Sequence, residues 1–208
     1  QSARQKVILC IGDSWSVLGE NVLRQHVHKY SKDVHVQGHG VSGSTASQWI
    51  HQTSSIQNYL RQHSNKQKIV WLSVGGNDIT SRYMQGFNID NGMKAIQEDI
   101  EKILDAIVSV DNDTKVVHFG YDFINIEPML LAIVGKTLSD ANNAILEFSN
   151  TLTRLSNMEK YRGRFTHIPM TGLLQRAAGI SGAPRLDMPS PAHFMMDPIH
   201  PNAKGFEL

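Results

Sequence analysis

A chain of 208 residues, 40% hydrophobic and 19% charged, has enough apolar mass for one well-buried core and is short for two. Its 20 basic and 19 acidic residues nearly cancel, so there is no long-range field to draw in a nucleic acid or an anionic membrane surface. No run approaches the ~20 apolar residues of a membrane span, and both roles are set aside.

Lys6–Ile11 is a short, nearly continuous apolar run that stops at Gly12-Asp13-Ser14, the pattern of a parallel strand covered on both faces. Residues 15–30 follow with Val17, Leu18, Val22, Leu23 and Val27 at mostly helical spacing. A weaker strand, 33–37, breaks at Gly38, and 44–60 reads as one helix burying Trp49, Ile50, Ile56 and Leu60. Residues 68–74 give a clear strand ending at Gly75-Gly76. The best helix, 92–110, carries Met93, Ile96, Ile100, Ile103, Leu104 and Ile107 in one stripe. After a strand at 115–120 comes a long amphipathic helix, 138–161, with Ser139 or Asp140 as its cap, and then a last short strand, 164–168.

Strands alternating with helices predict an α/β fold: a three-layer flavodoxin-like sandwich around a five-stranded parallel sheet, order 2-1-3-4-5, in a single domain spanning 1–208. In such sheets ligands sit beyond the carboxyl ends of the strands. Residues 169–196 differ in kind, with Gly and Pro punctuating an apolar segment, and are expected to pack along a substrate cleft. Cys10 is the single cysteine and allows no internal disulfide, and the ten histidines show no ligand-like spacing, so no metal is expected. The chain begins at Gln1 rather than Met, which fits a removed leader and favours a secreted or periplasmic protein.

Four short peptides fall at strand ends or in the last loop. Ser14 lies between a strand and a helix, where its hydroxyl can act as a nucleophile or simply cap the helix. In Asp197-Pro198-Ile199-His200-Pro201 both Asp197 and His200 precede proline, which disfavours helix and gives a stiff arm. Such an arm can hold a carboxylate against imidazole Nδ1 while Nε2 faces outward, or it is a surface histidine beside a turn. Gly75-Gly76-Asn77-Asp78 is a tight turn that offers the Asn77 amide, and Val41–Thr45 offers the Gly43 N–H. Nucleophile, base, orienting carboxylate and oxyanion donors are the parts acyl transfer needs.

In this order the four peptides resemble the blocks of the SGNH hydrolases, the GDSL-like esterases and lipases, and the resemblance runs from residue 7 to 205. It implies a serine-dependent carboxylic ester hydrolase acting on small acyl or acetyl esters. Ser14 would be the nucleophile, His200 and Asp197 the base system, and Ser14, Gly43 and Asn77 the oxyanion donors. No cofactor and no metal is implied; the partner is a small-molecule ester, and the oligomeric state stays open. Two other readings remain: a carbohydrate O-deacetylase or O-acyltransferase of the same superfamily, and a non-catalytic binding module. The α/β-hydrolase elbow Gly-x-Ser-x-Gly is absent. Trp15 stands where family members commonly carry Leu or Ile, either narrowing the acyl pocket or packing beneath the helix. The terminal helix usual in the family barely begins at Asn202.

Overall fold

The N-terminal apolar run forms β1 (Lys6–Gly12), hydrogen-bonded on one side to β2 (Val34–Gly38) and on the other to β3 (Gln67–Ser73). With β4 (Lys115–Phe119) and β5 (Phe165–Ile168) it builds a five-stranded, all-parallel sheet in the order β2-β1-β3-β4-β5. This computed structural model describes residues 5–84 and 89–208. Successive side chains of a strand point to opposite faces, so β1 feeds two cores. Val7, Leu9 and Ile11 enter the larger one, and Ile8 and Cys10 the smaller, where they meet Val34, Val36 and Trp71.

The helices follow from the crossovers. From β1 the chain first steps one way to β2 and then back past β1 to β3, β4 and β5, so right-handed connections put the first helix on the opposite face from the later ones. Accordingly α1 (Ser14–Tyr30) lays Leu23 and Val27 on the smaller core. The larger core takes Trp49 of α2 (Ala46–Trp49) and Ile56 and Leu60 of α3 (Thr53–Gln62). It also takes Ile79 of α4 (Gly76–Met84) and the Ile96–Ile107 stripe of α5 (Ile89–Val108). Beyond β4 come α6 (Pro128–Ala132) and α7 (Leu138–Ser156), the latter burying Phe148, Leu152 and Leu155. Each such side chain, fully withdrawn from water, contributes roughly 2 kcal/mol. Two short helices, α8 (Leu173–Ala177) and α9 (Ala203–Phe206), complete the set.

Four local expectations change. The helix expected over 44–60 is two helices separated by a 3-10 turn at Ile50–Gln52. A Thr45–Gln48 capping box starts the first, and the Thr53 hydroxyl donates to the Ile50 carbonyl (3.1 Å) where the second begins. Helix α1 is rotated from its expected phase: Trp15 and Gly19 are buried, while Val17 and Leu18 are exposed. Close packing of Gly19 against the Trp71 ring sets that rotation. The cap of α7 is Thr137, which trades hydrogen bonds with Asp140 at both backbone N–H groups. The turn at Gly75 runs directly into α4, because a Gly-Gly-Asn-Asp peptide contains helix-starting residues as well as turn formers.

Candidate active site

The Ser14 turn is shaped by backbone alone. Gly12 has φ +142°, and a Cβ there would stand 1.9 Å from the Ser73 carbonyl oxygen, so only glycine fits. That carbonyl accepts the Asp13 N–H at 2.8 Å, locking β1 to β3 just before the chain turns into α1. Asp13 is the helix N-cap; its carboxylate accepts the Trp15 N–H (3.0 Å), the Ser73 hydroxyl (3.2 Å) and the Tyr121 hydroxyl (2.6 Å). Ser14 is therefore the first residue of the helix, where a backbone N–H has no partner within the helix. Burial pushes the Asp13 carboxyl up to about 6, against the pull of its three donors and of His200. Asp13 thus braces the loop, as a residue sealed beneath it can.

Facing this turn is the arm expected from the Asp-x-x-His peptide. Ser14 Oγ lies 2.7 Å from His200 Nε2, and His200 Nδ1 lies 2.7 Å from Asp197 Oδ2. Since a carboxylate can only accept, Nδ1 carries the proton and Nε2 is left to accept from the serine hydroxyl. The other Asp197 oxygen accepts the N–H groups of Ile199 and His200, both at 2.8 Å. Partial burial would raise the Asp197 carboxyl, but these donors and the imidazole outweigh it and hold it below the ordinary value. The arm is tied at both ends. Pro198 accepts the Asn125 N–H (2.7 Å), Met196 donates to the His200 carbonyl (2.8 Å), and the Asn202 amide donates to His193 (2.9 Å).

The expected oxyanion donors gather on the same rim. Gly43 occupies the left-handed position (φ +78°) of a turn closed by Ser44 N–H to Val41 carbonyl. The turn is laced to the Ser14 loop, since the Val41 N–H donates to the Gly12 carbonyl (2.7 Å) and so does the Ser44 hydroxyl (3.3 Å). Asn77 Nδ2 donates to the Ser44 carbonyl at 2.9 Å, which fixes the amide plane while an amide NH2 still has a second proton to offer. Asp78, whose carboxyl is raised by burial, accepts the Ala46 N–H (2.7 Å) and joins the Asn77 turn to the start of α2.

A pocket opens beside Ser14 and Asn77, walled by Trp15, Ile79, Ile124, Ile126, Leu131 and Ile145. Trp15 also packs edge-on against Tyr121 (5.2 Å between ring centroids) and Phe206 (5.7 Å), so it lines the pocket and packs inward at once. The wall corrects the expectation for 169–196: no residue of that segment lines this pocket. The segment is instead pinned to the body. The Asn142 amide donates to the Leu186 and Met188 carbonyls and the Ser190 hydroxyl donates to the Phe123 carbonyl, while within the segment the buried Gln175 amide donates to the Arg185 and Met188 carbonyls. The cleft wall comes from residues 121–131 and α7, a stretch of little periodicity whose isoleucines and Leu131 were its only available signal. Asp122 spends its carboxylate on the N–H groups of Phe123, Gly172 and Leu174 and is a brace. Among the described residues no group of three or more His, Cys, Asp or Glu side chains is placed to hold a metal ion, and no helix is long and apolar enough to cross a membrane.

With fold and site in view, the comparisons with known proteins agree. The profile of the GDSL-like Lipase/Acylhydrolase family matches residues 8–208, so the chain belongs to that family and with it to the ester hydrolases. Among solved structures, it superposes on a GDSL-like lipase candidate from Parabacteroides merdae ATCC 43184 with a TM-score of 0.68 at 16% identity, covering 100% of this chain and 93% of that one. LAE5, an alpha/beta hydrolase enzyme from the metagenome of Lake Arreo, gives 0.65 at 18% identity, over 100% and 92% of the two chains. The acetyl xylan esterase AlAXEase gives 0.59 at 16% identity, over 97% and 94%. At these identities the likeness speaks for the fold. No match was found among curated proteins.

Proposed function

We propose that the chain, working as one domain over residues 1–208, hydrolyses carboxylic esters of small acyl groups through a Ser14–His200–Asp197 triad. The observation that carries this reading is the unbroken line of two 2.7 Å hydrogen bonds linking a hydroxyl, an imidazole and a carboxylate from opposite ends of the sequence. His200 Nε2 takes the proton as Ser14 Oγ attacks the ester carbonyl, and the tetrahedral oxyanion is met by the N–H groups of Ser14 and Gly43 and the Asn77 amide. Collapse expels the alcohol, which receives that proton from His200. Water, deprotonated by the same nitrogen, then attacks the acyl-enzyme and releases the acid. Asp197 holds the tautomer and supports the imidazolium formed in each step.

Ser14→Ala should lower ester turnover by at least about 10^4-fold, and a fluorophosphonate probe should label the parent protein but not the variant. Folded parent protein that escapes labelling while a control esterase is labelled would put a binding module in place of an enzyme. Asn77→Ala removes one oxyanion donor and should reduce kcat roughly 10^2-fold with KM little changed. Near-parental turnover in that variant would take Asn77 out of the proposal.

A further inference from the structure

The pocket beside Ser14 owes its existence to small residues. On its buried face α7 carries Phe148, Leu152 and Leu155 along the core, but Ala144 and Ala141 one and two turns before them, and the cavity opens over those alanines. Its volume is about 120 Å³. An apolar cavity of about 150 Å³ takes up benzene, so this one has room for about four or five carbons beyond the carbonyl.

Beyond the Ser14 and Asn77 rim the pocket offers little to a polar group, because the other polar side chains on its wall are already engaged. Asp13 accepts from Trp15, Ser73 and Tyr121; Asp122 accepts from Phe123, Gly172 and Leu174; and the Thr80 hydroxyl donates to the Gly76 carbonyl at 3.1 Å. A sugar hydroxyl placed there would lose its water partners and gain few in return.

The position of the base decides which half of the ester enters. The departing alcohol must receive its proton from His200, so it lies on the His200 side of Ser14. The pocket is lined by Ser14, Asn77 and Ile199 but not by His200. The acyl half faces the cavity.

We infer that this site is built for esters of short aliphatic acids of about four to six carbons, rather than for acetyl or long-chain fatty esters, with Ala141, Ala144 and Leu131 setting the length; this rests on the esterase reading above. Each methylene withdrawn from water should raise kcat/KM about fourfold until the cavity is full.

The test is a p-nitrophenyl ester series from acetate to dodecanoate, beside acetate esters of lengthening alcohols. Butanoate should exceed acetate by roughly 15-fold and hexanoate by roughly 250-fold, with no further gain beyond hexanoate. Lengthening the alcohol at fixed acetyl should give no comparable rise. Ala144→Leu should lower the hexanoate-to-acetate ratio at least tenfold, and Leu131→Ala, which cuts the other way if the first variant folds poorly, should move the optimum to octanoate. Binding of 1-hexanol, followed by calorimetry, should be lost in Ala144→Leu. A Ser14-dependent esterase with a flat or acetate-best profile, or with its length dependence on the alcohol, overturns the inference and leaves the esterase reading standing. Silence on every ester with Ala144-dependent binding of hexanol keeps the apolar pocket and overturns the esterase reading. Silence in both removes both.

Discussion

The two ends of the parallel sheet each hold a carboxylate bound by several donors, half-buried at one end and sealed at the other, and the two are treated in opposite ways. At the amino end Asp111 meets the almost fully buried Lys68 ammonium at 2.7 Å and also accepts the N–H groups of Asp113 and Thr114 and the Thr114 hydroxyl. Although burial works against it, that set holds the Asp111 carboxyl at about 2. Arg164 adds donors to the carbonyls of Val108 and Asp111, tying β5 to the turn before β4. At the carboxyl end Asp13 has neutral donors, and burial lifts it to about 6. The first arrangement fastens the sheet. The second is an unfavourable ionisation tolerated because it holds the Ser14 turn in place, the pattern expected where position matters more than stability.

The comparison predicts where each end will fail. Asp197→Asn leaves a group that can still accept at Oδ1 but cannot fix the imidazole tautomer. It should cut kcat by about 10^4-fold while the denaturation midpoint stays nearly constant. Asp111→Ala should do the reverse. Stranding the Lys68 ammonium in the interior should cost about 3 kcal/mol of unfolding free energy, read from urea titrations, with kcat of the folded fraction unchanged. A catalytic loss in that variant would mean the two ends are coupled.

The smallest effect sharpens the contrast through pH. Asp13 is lifted from an ordinary value of 3.8 to about 6, so between those values the folded protein binds more protons than the unfolded chain and stability falls as pH rises. Relative to Asp13→Asn, the parent should lose about 2–3 kcal/mol between pH 4 and pH 6. Asp111, held low, contributes the opposite slope: its stabilisation is complete above pH 4 and disappears as pH drops toward 2. Denaturation series at several pH values on both variants would reveal either sign reversed.

The sheet and its order were legible because buried parallel strands need continuous apolar runs, and Lys6–Ile11 and Lys68–Val74 supply them. The Ser14, Gly43, Asn77 and Asp197–His200 peptides were legible because each is a local exception to such a pattern: glycines, prolines and polar residues where a strand stops. The pocket was not legible. It depends on alanines 141 and 144 missing volume opposite Ile124, Ile126 and Leu131, a relation between segments that no window of sequence contains. The brace from Tyr121 to Asp13 was hidden for the same reason, its partners being 108 residues apart.

Gly12 and Gly43 both stand at positive φ, yet they set different limits on variation. At position 12 the obstacle is another strand's peptide group, and a saturation library there should return a single functional codon family. At position 43 there is open space where a side chain would go and the dihedral is one that asparagine also visits, so a drifting lineage keeps a second choice there that leaves the backbone N–H where it is.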